Sequence, residues 1–466
     1  MLLLRNLARF TVGINIVRVY AAAAVLLAAF LVIYLPDVGR GFIKDDFGWI
    51  AASQVASAHD VRELFERNGG FYRPLVSASF AADHALWRFD PFAYGITNLI
   101  VVFVDAVLLF CLAGKLSASR EAALVAVAAW SFNFHGVNMA LLWISGRTAL
   151  LLCMFALSVA LAVLSGRTVL AGCLSLLAML CKEEAVMIPV LFALISLFAR
   201  PHDQPPFRAA WSALRRSGPL WIALAIYLGL RAHSGAFGPQ DAPSYYRFTF
   251  EPLAVARNVL EYLDRGATFA VAIAVAMLMS IGTARVALTA AEKAILRFAA
   301  AWFVCFYAMT MFLPVRSSLY ALTPSVGAAL ALAAVASGVQ RIAQKRFEAC
   351  CAALIAVIFL LIPIYRQRNE RWVVPADLST SVVRTLRMAT AGYSGGQIVV
   401  VDDASARFRL DSSFGTSFGD AVHLMVGSNW EGLIVPTMNR AITNPPNRAR
   451  RLEFALRNGH LAPAAQ

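Results

Sequence analysis

The feature that most limits the fold is a repeated one: apolar runs of about 20 residues recur from the start of the chain to well past its middle. A run of that length crosses the hydrocarbon of a bilayer as a helix. In that medium every backbone N–H and C=O must find its partner inside the segment, and the α-helix does this. Taken in order, the runs predict about eleven spans, near 16–35, 92–114, 121–141, 146–165, 168–181, 185–199, 217–232, 266–284, 294–313, 319–338 and 350–364. The expected fold class is an α-helical polytopic membrane protein with about 11 transmembrane helices. Composition agrees. The 466 residues are 60% hydrophobic and 15% charged, against about 25% charged in soluble domains. Mean hydropathy is +0.67, which excludes a string of soluble domains.

The net charge of +14 sits mostly in short loops between apolar runs, where Lys and Arg hold the cytoplasmic side. The basic residues are not interleaved with aromatics as in a nucleic-acid groove, so the expected partner is the lipid bilayer and not nucleic acid. The seven cysteines show no CxxC spacing, and most lie in apolar runs. They read as small buried apolar residues, not as a disulfide framework or a zinc site.

Arg5, Arg9 and Arg18 precede or open the first run, so the N-terminus is expected in the cytoplasm. Counting from there puts Lys115, Arg120, Arg167 and the basic stretches at 200–216, 285–297 and 341–346 inside. The opposite face receives Asp45, Asp46, His135, Arg147, Lys182, Glu183, Glu184, Arg316 and the tail. A frequent use of Ala and Arg points to a bacterial inner (plasma) membrane. The expected division is a membrane domain over 1–365, with a first outer loop at 36–73, and a small extracytoplasmic α/β domain over 366–466. Residues 48–67 are expected as one amphipathic helix on the membrane surface. The stretch 74–88, broken by Asp83 and His84, reads as interfacial or re-entrant, and 233–265 as a polar loop. In the tail, Gln397–Val401 reads as a strand leading into Asp402 and Asp403.

The unusual polar residues thus gather on one face, apart from the topology charges. Asp45 and Asp46 stand just past the first span; either can act as a general base toward a hydroxyl, and the pair can bind a divalent cation, which nothing in the sequence requires. Lys182, Glu183 and Glu184 end an apolar span, where ionisable groups are costly. They form either a phosphate-holding group or a self-neutralising ion pair. Arg147, after Trp143-Ile144-Ser145-Gly146, and Arg316, ahead of Tyr320, suit phosphate oxygens or snorkel to the interface. His135 sits at the outer end of a span, as a hydrogen-bonded packing residue or a member of the site, and Arg73, in Tyr72-Arg73-Pro74 at a helix start, is a further candidate to face the site. There is no Walker A loop, no GxGxxG after a strand, no HExxH and no GxSxG elbow, so ATP-driven and nicotinamide chemistry find no support.

At these residues the chain resembles the GT-C glycosyltransferases, above all the membrane part of the protein O-mannosyltransferases that carry tetratricopeptide repeats. Five stretches carry the resemblance, in the family's order: Phe42-Ile43-Lys44-Asp45-Asp46; Tyr72-Arg73-Pro74-Leu75 on through Pro91-Phe92 to Asn98; Trp143-Ile144-Ser145-Gly146-Arg147; Cys181-Lys182-Glu183; and Tyr320 through Pro324-Ser325-Val326-Gly327. The chain departs from the family at Ala149, Val102 and Met139, and it lacks the repeat array. The resemblance implies hexosyl or pentosyl transfer from a polyprenyl-phosphate-linked sugar to a hydroxyl of a protein, lipid or glycan acceptor, at the extracytoplasmic face. It implies catalysis by Asp45 or Asp46, donor phosphate held by Arg147, Lys182 and Arg316, support from Arg73, His135, Glu183 and Tyr320, and no required cofactor. A transporter or flippase of an anionic substrate, and a non-catalytic assembly subunit, are the readings from other classes.

Overall fold

In the computed structural model the described residues are 15–66, 71–198, 206–236, 246–282, 287–402, 409–435, 450–457 and 459–463. Arg5, Arg9, Arg200, Arg285 and Asp403 lie outside them. The helices follow the apolar runs: α1 (Asn15–Tyr34), α5 (Pro91–Ser117), α6 (Arg120–Ser131), α7 (Gly136–Leu142), α8 (Arg147–Leu164), α9 (Thr168–Met179), α10 (Ile188–Phe198), α12 (Gly218–His233), α13 (Pro252–Ile281), α14 (Ala290–Tyr307), α15 (Leu322–Ile342) and α16 (Gln344–Thr390). Shorter helices fill the connections: α2 (Asp45–Ala52), α3 (Ala58–Glu66), α4 (Pro74–Trp87) and α11 (Pro206–Arg216).

Local chemistry sets the ends. Asp90 caps α5 by accepting the Phe92 N–H, with Pro91 at the first helical position, where no N–H is missed. Ser119 accepts from the Ala122 N–H to start α6. Thr289 and Glu292 form a capping box on α14. Among the described residues six helices are long and apolar enough to cross a membrane. The pair α6 and α7, bent by 62°, adds a seventh if it is one broken span. The remaining candidates among the expected eleven, α9, α10, α12 and α14, are shorter or carry charge in the first turns. The chain is an integral membrane protein with a mostly helical bundle.

Hydrogen bonds and ion pairs sort the helix ends into two groups. At one end Lys115 donates to Ser165, Ser119 to Gln340, and Arg341 pairs with Glu292. At the other, Asn369 donates to Asp37, Arg73 pairs with Glu183, and the Leu75 N–H donates to the Leu180 carbonyl. Arg18 belongs to the first group, paired with Glu348, and Arg316 to the second.

Three expectations are revised. The stretch 48–67 is not one helix: α2 and α3 are separated by a turn near Ser53. The polar loop expected over 233–265 ends early, because α13 starts at Pro252 and carries its charges on an exposed first half. The last span does not stop near residue 364. At 1.5 Å per residue, α16 is about 70 Å long and stays helical through Pro363 and Pro375 to Thr390. Leu378, Val382 and Leu386, four residues apart, form an apolar stripe on that extension.

The stripe packs in a second core with Phe42, Phe47 and Ile50 of the first outer segment and with the C-terminal domain. That domain has β1 (Gly396–Val401), α17 (Leu410–Phe414), α18 (Phe418–Met425), β2 (Trp430–Val435), β3 (Arg450–Arg457) and β4 (His460–Pro463). The sheet order is β2-β1-β3-β4, with β1 parallel to both neighbours and β4 antiparallel to β3. Ile398 and Val400 point into the shared core while Val399 faces Val435, the alternation of a strand.

Candidate functional site

The site is built at the end where Asp45 emerges. Lys44 adopts φ of 51° and ψ of −125°, a backbone region that L side chains rarely occupy. Two contacts hold it there: the Lys44 N–H donates to the Ser413 carbonyl at 2.8 Å, and Asp46 locks the next turn. Asp46 is fully buried. One of its oxygens accepts the Ile43 N–H at 2.9 Å; the other accepts the Ser145 N–H at 2.7 Å and the Ser145 hydroxyl. The outcome of this latch is that Asp45, the first residue of α2, is exposed and makes no ion pair among the described residues.

Burial pushes the Asp46 carboxyl up to about 7, against the pull of the Ile43 and Ser145 hydrogen bonds. Partial loss of water raises Asp45 as well, while Lys44 and Arg73 pull it down.

Arg147 lies behind the latch with no exposed surface. Its Nε donates to Asn98 Oδ1 at 2.8 Å and its Nη2 to the Tyr94 carbonyl at 3.0 Å. It pairs with Asp83 at 2.6 Å and stacks 4.6 Å from the Phe80 ring. This geometry gives Arg147 a supporting place between α4, α5 and α8 and leaves its fork no oxygen of a ligand to reach. Asp46, likewise, has no exposed surface, and both of its oxygens accept from the protein. These two residues stand as framework beneath the site.

The other candidates form an arc. Arg73, just ahead of α4, makes a fork to Glu183 with contacts of 3.1, 3.1 and 2.7 Å. Burial lowers the Arg73 pKa but Glu183 outweighs it and the net shift is upward. Burial raises Glu183, and Arg73 more than reverses this, so the carboxylate stays ionised. Lys182 pairs with Glu184 at 2.8 Å, and its Nζ lies 4.7 Å over the Tyr320 ring, a cation–π contact. The Tyr320 ring is 6.3 Å from that of Tyr262 on α13. Beside Tyr262, three guanidiniums share one carboxylate: Arg316 at 2.8 Å, Arg257 at 3.0 Å and Arg265 at 3.1 Å all pair with Glu261. His135, at the break between α6 and α7, completes the arc. Its Nδ1 accepts from Arg368 of α16 at 3.0 Å, and Arg265 and Arg371 lie close enough to act on it.

The sequence reading names seven members of this arc: Asp45, Arg73, Glu183, Lys182, Tyr320, Arg316 and His135. The structure brings them to one end. It misses Glu261, Arg257 and Arg265, which stand at four-residue spacing. That spacing is a helical signal, hidden because the segment read as loop. It also misses that Asp83, taken only as a break in an apolar stretch, is the counter-ion of Arg147.

Cations outnumber carboxylates along the arc, most plainly around Glu261. Such a place attracts an anion with several oxygens, and its arginine forks are shaped for phosphate. For a metal ion, the group of described residues whose ligand atoms approach closely enough is His59, Asp60 and Glu63 on the exposed α3, within 4.8 Å of one another. Asp60 is already accepting the Ala56 and Ser57 N–H groups.

No family model matches the chain, and no curated protein matches it. Among solved structures it is similar to the oligosaccharyltransferase of Archaeoglobus fulgidus. Against the apo form the TM-score is 0.48 at 12% identity, covering 92% of this chain and 66% of that one. Against the complex of that enzyme, AglB, with an inhibitory peptide and a dolichol-phosphate, the values are 0.46 and 12%, covering 87% and 64%. The chain thus spans less than two thirds of the length of these proteins, and a likeness of this size says nothing about chemistry at the arc.

Proposed function

We propose that this protein is a membrane glycosyltransferase, moving a sugar from a polyprenyl-phosphate donor to an acceptor hydroxyl at the end of the bundle that carries the arc. The observation that carries the reading is the meeting of an exposed Asp45, without an ion pair among the described residues, with the cation-rich arc. The two halves of a group transfer onto a hydroxyl are a proton acceptor and a stabiliser for a departing phosphate.

In this reading Asp45 takes the proton of the acceptor hydroxyl as its oxygen bonds to the anomeric carbon. The bond from that carbon to the donor phosphate breaks, and the electron pair leaves with the phosphate. Arg316, Lys182 and Arg73 stabilise the charge, with Arg265 added from α13. Glu183, Glu184 and Glu261 orient these cations, and each gives way in part when a phosphate supplies better-placed oxygens. Asp46 holds Asp45 in position, and Arg147 holds the Ser145 turn that Asp46 grips. Tyr320 gives Lys182 its platform, and His135 stands on the basic rim.

A lipid-linked donor fits because the arc sits where apolar helices end, so a prenyl chain stays in hydrocarbon while its phosphate reaches the cations. The same reading places the arc on the extracytoplasmic side of a bacterial plasma membrane, with the residues from 366 onward beside it and the N-terminus in the cytoplasm. A divalent cation shared by Asp45 and the donor phosphate is compatible with this arrangement. The experiment is transfer from a radiolabelled polyprenyl-phosphate sugar in proteoliposomes, with wild type, Asp45→Asn and Arg316→Ala. Loss of transfer in both, with normal protein levels, supports the reading. Full transfer in Asp45→Asn, or movement of the lipid across the bilayer with no change in its chemistry, overturns it.

A further inference from the structure

At the end of the bundle opposite the arc, the short helix α11 joins α10 to α12. α10 starts just past Glu184, and the far end of α12 brings Arg231 close enough to act on Glu183. Both neighbours thus have their other ends at the arc, and α11 lies at the turn between them. Its height is set by α12. The Ser217 hydroxyl donates to the Leu214 carbonyl, which ties the last turn of α11 to the start of α12. Pro219 of α12 packs on Gly172, where a Cβ would lie 2.8 Å from the Pro219 carbonyl oxygen. Gly172 is about one turn into α9, and α9 starts where the span α8 ends, beside the Ser165 that accepts from Lys115. α11 therefore stands at the level where apolar spans stop, the headgroup layer of a bilayer.

The faces of α11 suit that layer. Phe207, Trp211 and Leu214 follow one another at four- and three-residue spacing and so share a face. The described residues leave them 81%, 60% and 43% exposed. Ser212, Arg215 and Arg216, at three- and four-residue spacing, share the adjoining face. Phe207, Trp211, Ser212, Arg215 and Arg216 together line an open recess of about 410 Å³. A helix with a stripe of Phe, Trp and Leu on one side and arginines on the other lies in the plane of a membrane surface, its stripe sunk to the acyl boundary.

Charge complementarity selects the kind of lipid. The segment from Pro206 to Arg216 contains no acidic residue, so α11 itself offers no carboxylate to the ammonium of a zwitterionic headgroup. Its guanidinium forks match phosphate oxygens, the Ser212 hydroxyl adds a third donor, and each basic residue near an anionic surface adds to the attraction.

We propose that α11 lies in the plane of the bilayer surface opposite the arc and binds an anionic phospholipid there. Ser212, Arg215 and Arg216 take the phosphate, and an acyl chain runs along Phe207, Trp211 and Leu214. This binding needs no transfer chemistry at the arc.

The test uses the full-length protein in nanodiscs, with a genetically encoded fluorescent residue in place of Phe207. The bilayer is phosphatidylcholine mixed with phosphatidylglycerol. Bromine, which quenches on contact, is carried on the acyl chains of one lipid or of the other at equal mole fraction. Expected is quenching that reports phosphatidylglycerol enriched about fivefold or more beside α11, the worth of one arginine near an anionic surface. The enrichment should fall to near parity in R215Q/R216Q, and in the unaltered arginine pair as salt rises. The salt series covers the case of a variant that fails to fold. Equal quenching by the two lipids, enrichment that survives R215Q/R216Q or high salt, or quenching by neither, as when the stripe is covered by protein, overturns the proposal.

Discussion

Substituting Asp45 by Asn keeps the first turn of α2 and removes its proton acceptor. Transfer should then drop by about 10²–10⁴-fold, the usual worth of a general base, with folding unchanged; initial rates against protein amount check this. Asp46 predicts a different behaviour. Its folded pKa of about 7 lies above the ordinary 3.8, so between those values the folded state holds more protons than the unfolded one. Stability therefore falls as pH rises from about 4 to 7 and levels off above. Thermal unfolding in detergent across that range should show the decline, and Asp46→Asn should flatten it. Arg147 is a third case. Removing it as Arg147→Met strands Asp83 in a buried site, at a cost of about 3–5 kcal/mol. The double change Arg147→Met with Asp83→Leu should recover most of that loss, as read by thermal denaturation.

At the scale of elements, the contact of α14 with α15 depends on Gly327. A Cβ there would meet the Ala299 carbonyl oxygen at 2.6 Å and the Phe303 nitrogen at 3.0 Å. Small residues let helix backbones approach in a bilayer, where no water drives them together. Gly327→Val should force α14 and α15 apart, costing about 1–3 kcal/mol as overpacking, seen as a lower unfolding temperature. Because Tyr320 and Arg316 precede α15, activity should fall further than stability alone explains. Trp302 and Trp130, which donate to the Thr323 and Leu322 carbonyls, pin the same helix start from two sides.

On the scale of the whole molecule, the C-terminal domain does not stand apart from the bundle. It shares a core with α2 and α16, in which Phe47 stacks on Phe414 with ring centroids 5.7 Å apart. It also supplies the Ser413 carbonyl that holds Lys44. Ending the chain after Thr390 should thus expose Phe47 and Leu386, and release Asp45 from its geometry. Aggregation on size-exclusion chromatography and rapid proteolysis of the 36–73 segment are the expected readouts. A monodisperse, active truncation would show that the domain is independent of catalysis.

The chain's own residues determine a good deal. Recurring apolar runs of bilayer-spanning length impose a helical membrane bundle, because unsatisfied backbone is not tolerated in lipid. The loop charges separate one end from the other, and the odd polar residues Asp45, Arg73, Lys182, Glu183 and Arg316 stand out because burying charge is costly. Tertiary structure decided the rest. Whether Asp45 or Asp46 faces outward follows from Ser145, 99 residues away, and no spacing encodes that contact. Arg147 and Arg316 look alike as arginines at span ends; only the distant Asp83 and Glu261 make one a buried strut and the other a half-exposed member of the arc. Helical periodicity and charge are local properties and can be read along a chain. Partners of a buried charge are set by packing between distant segments, which is a property of the folded molecule alone.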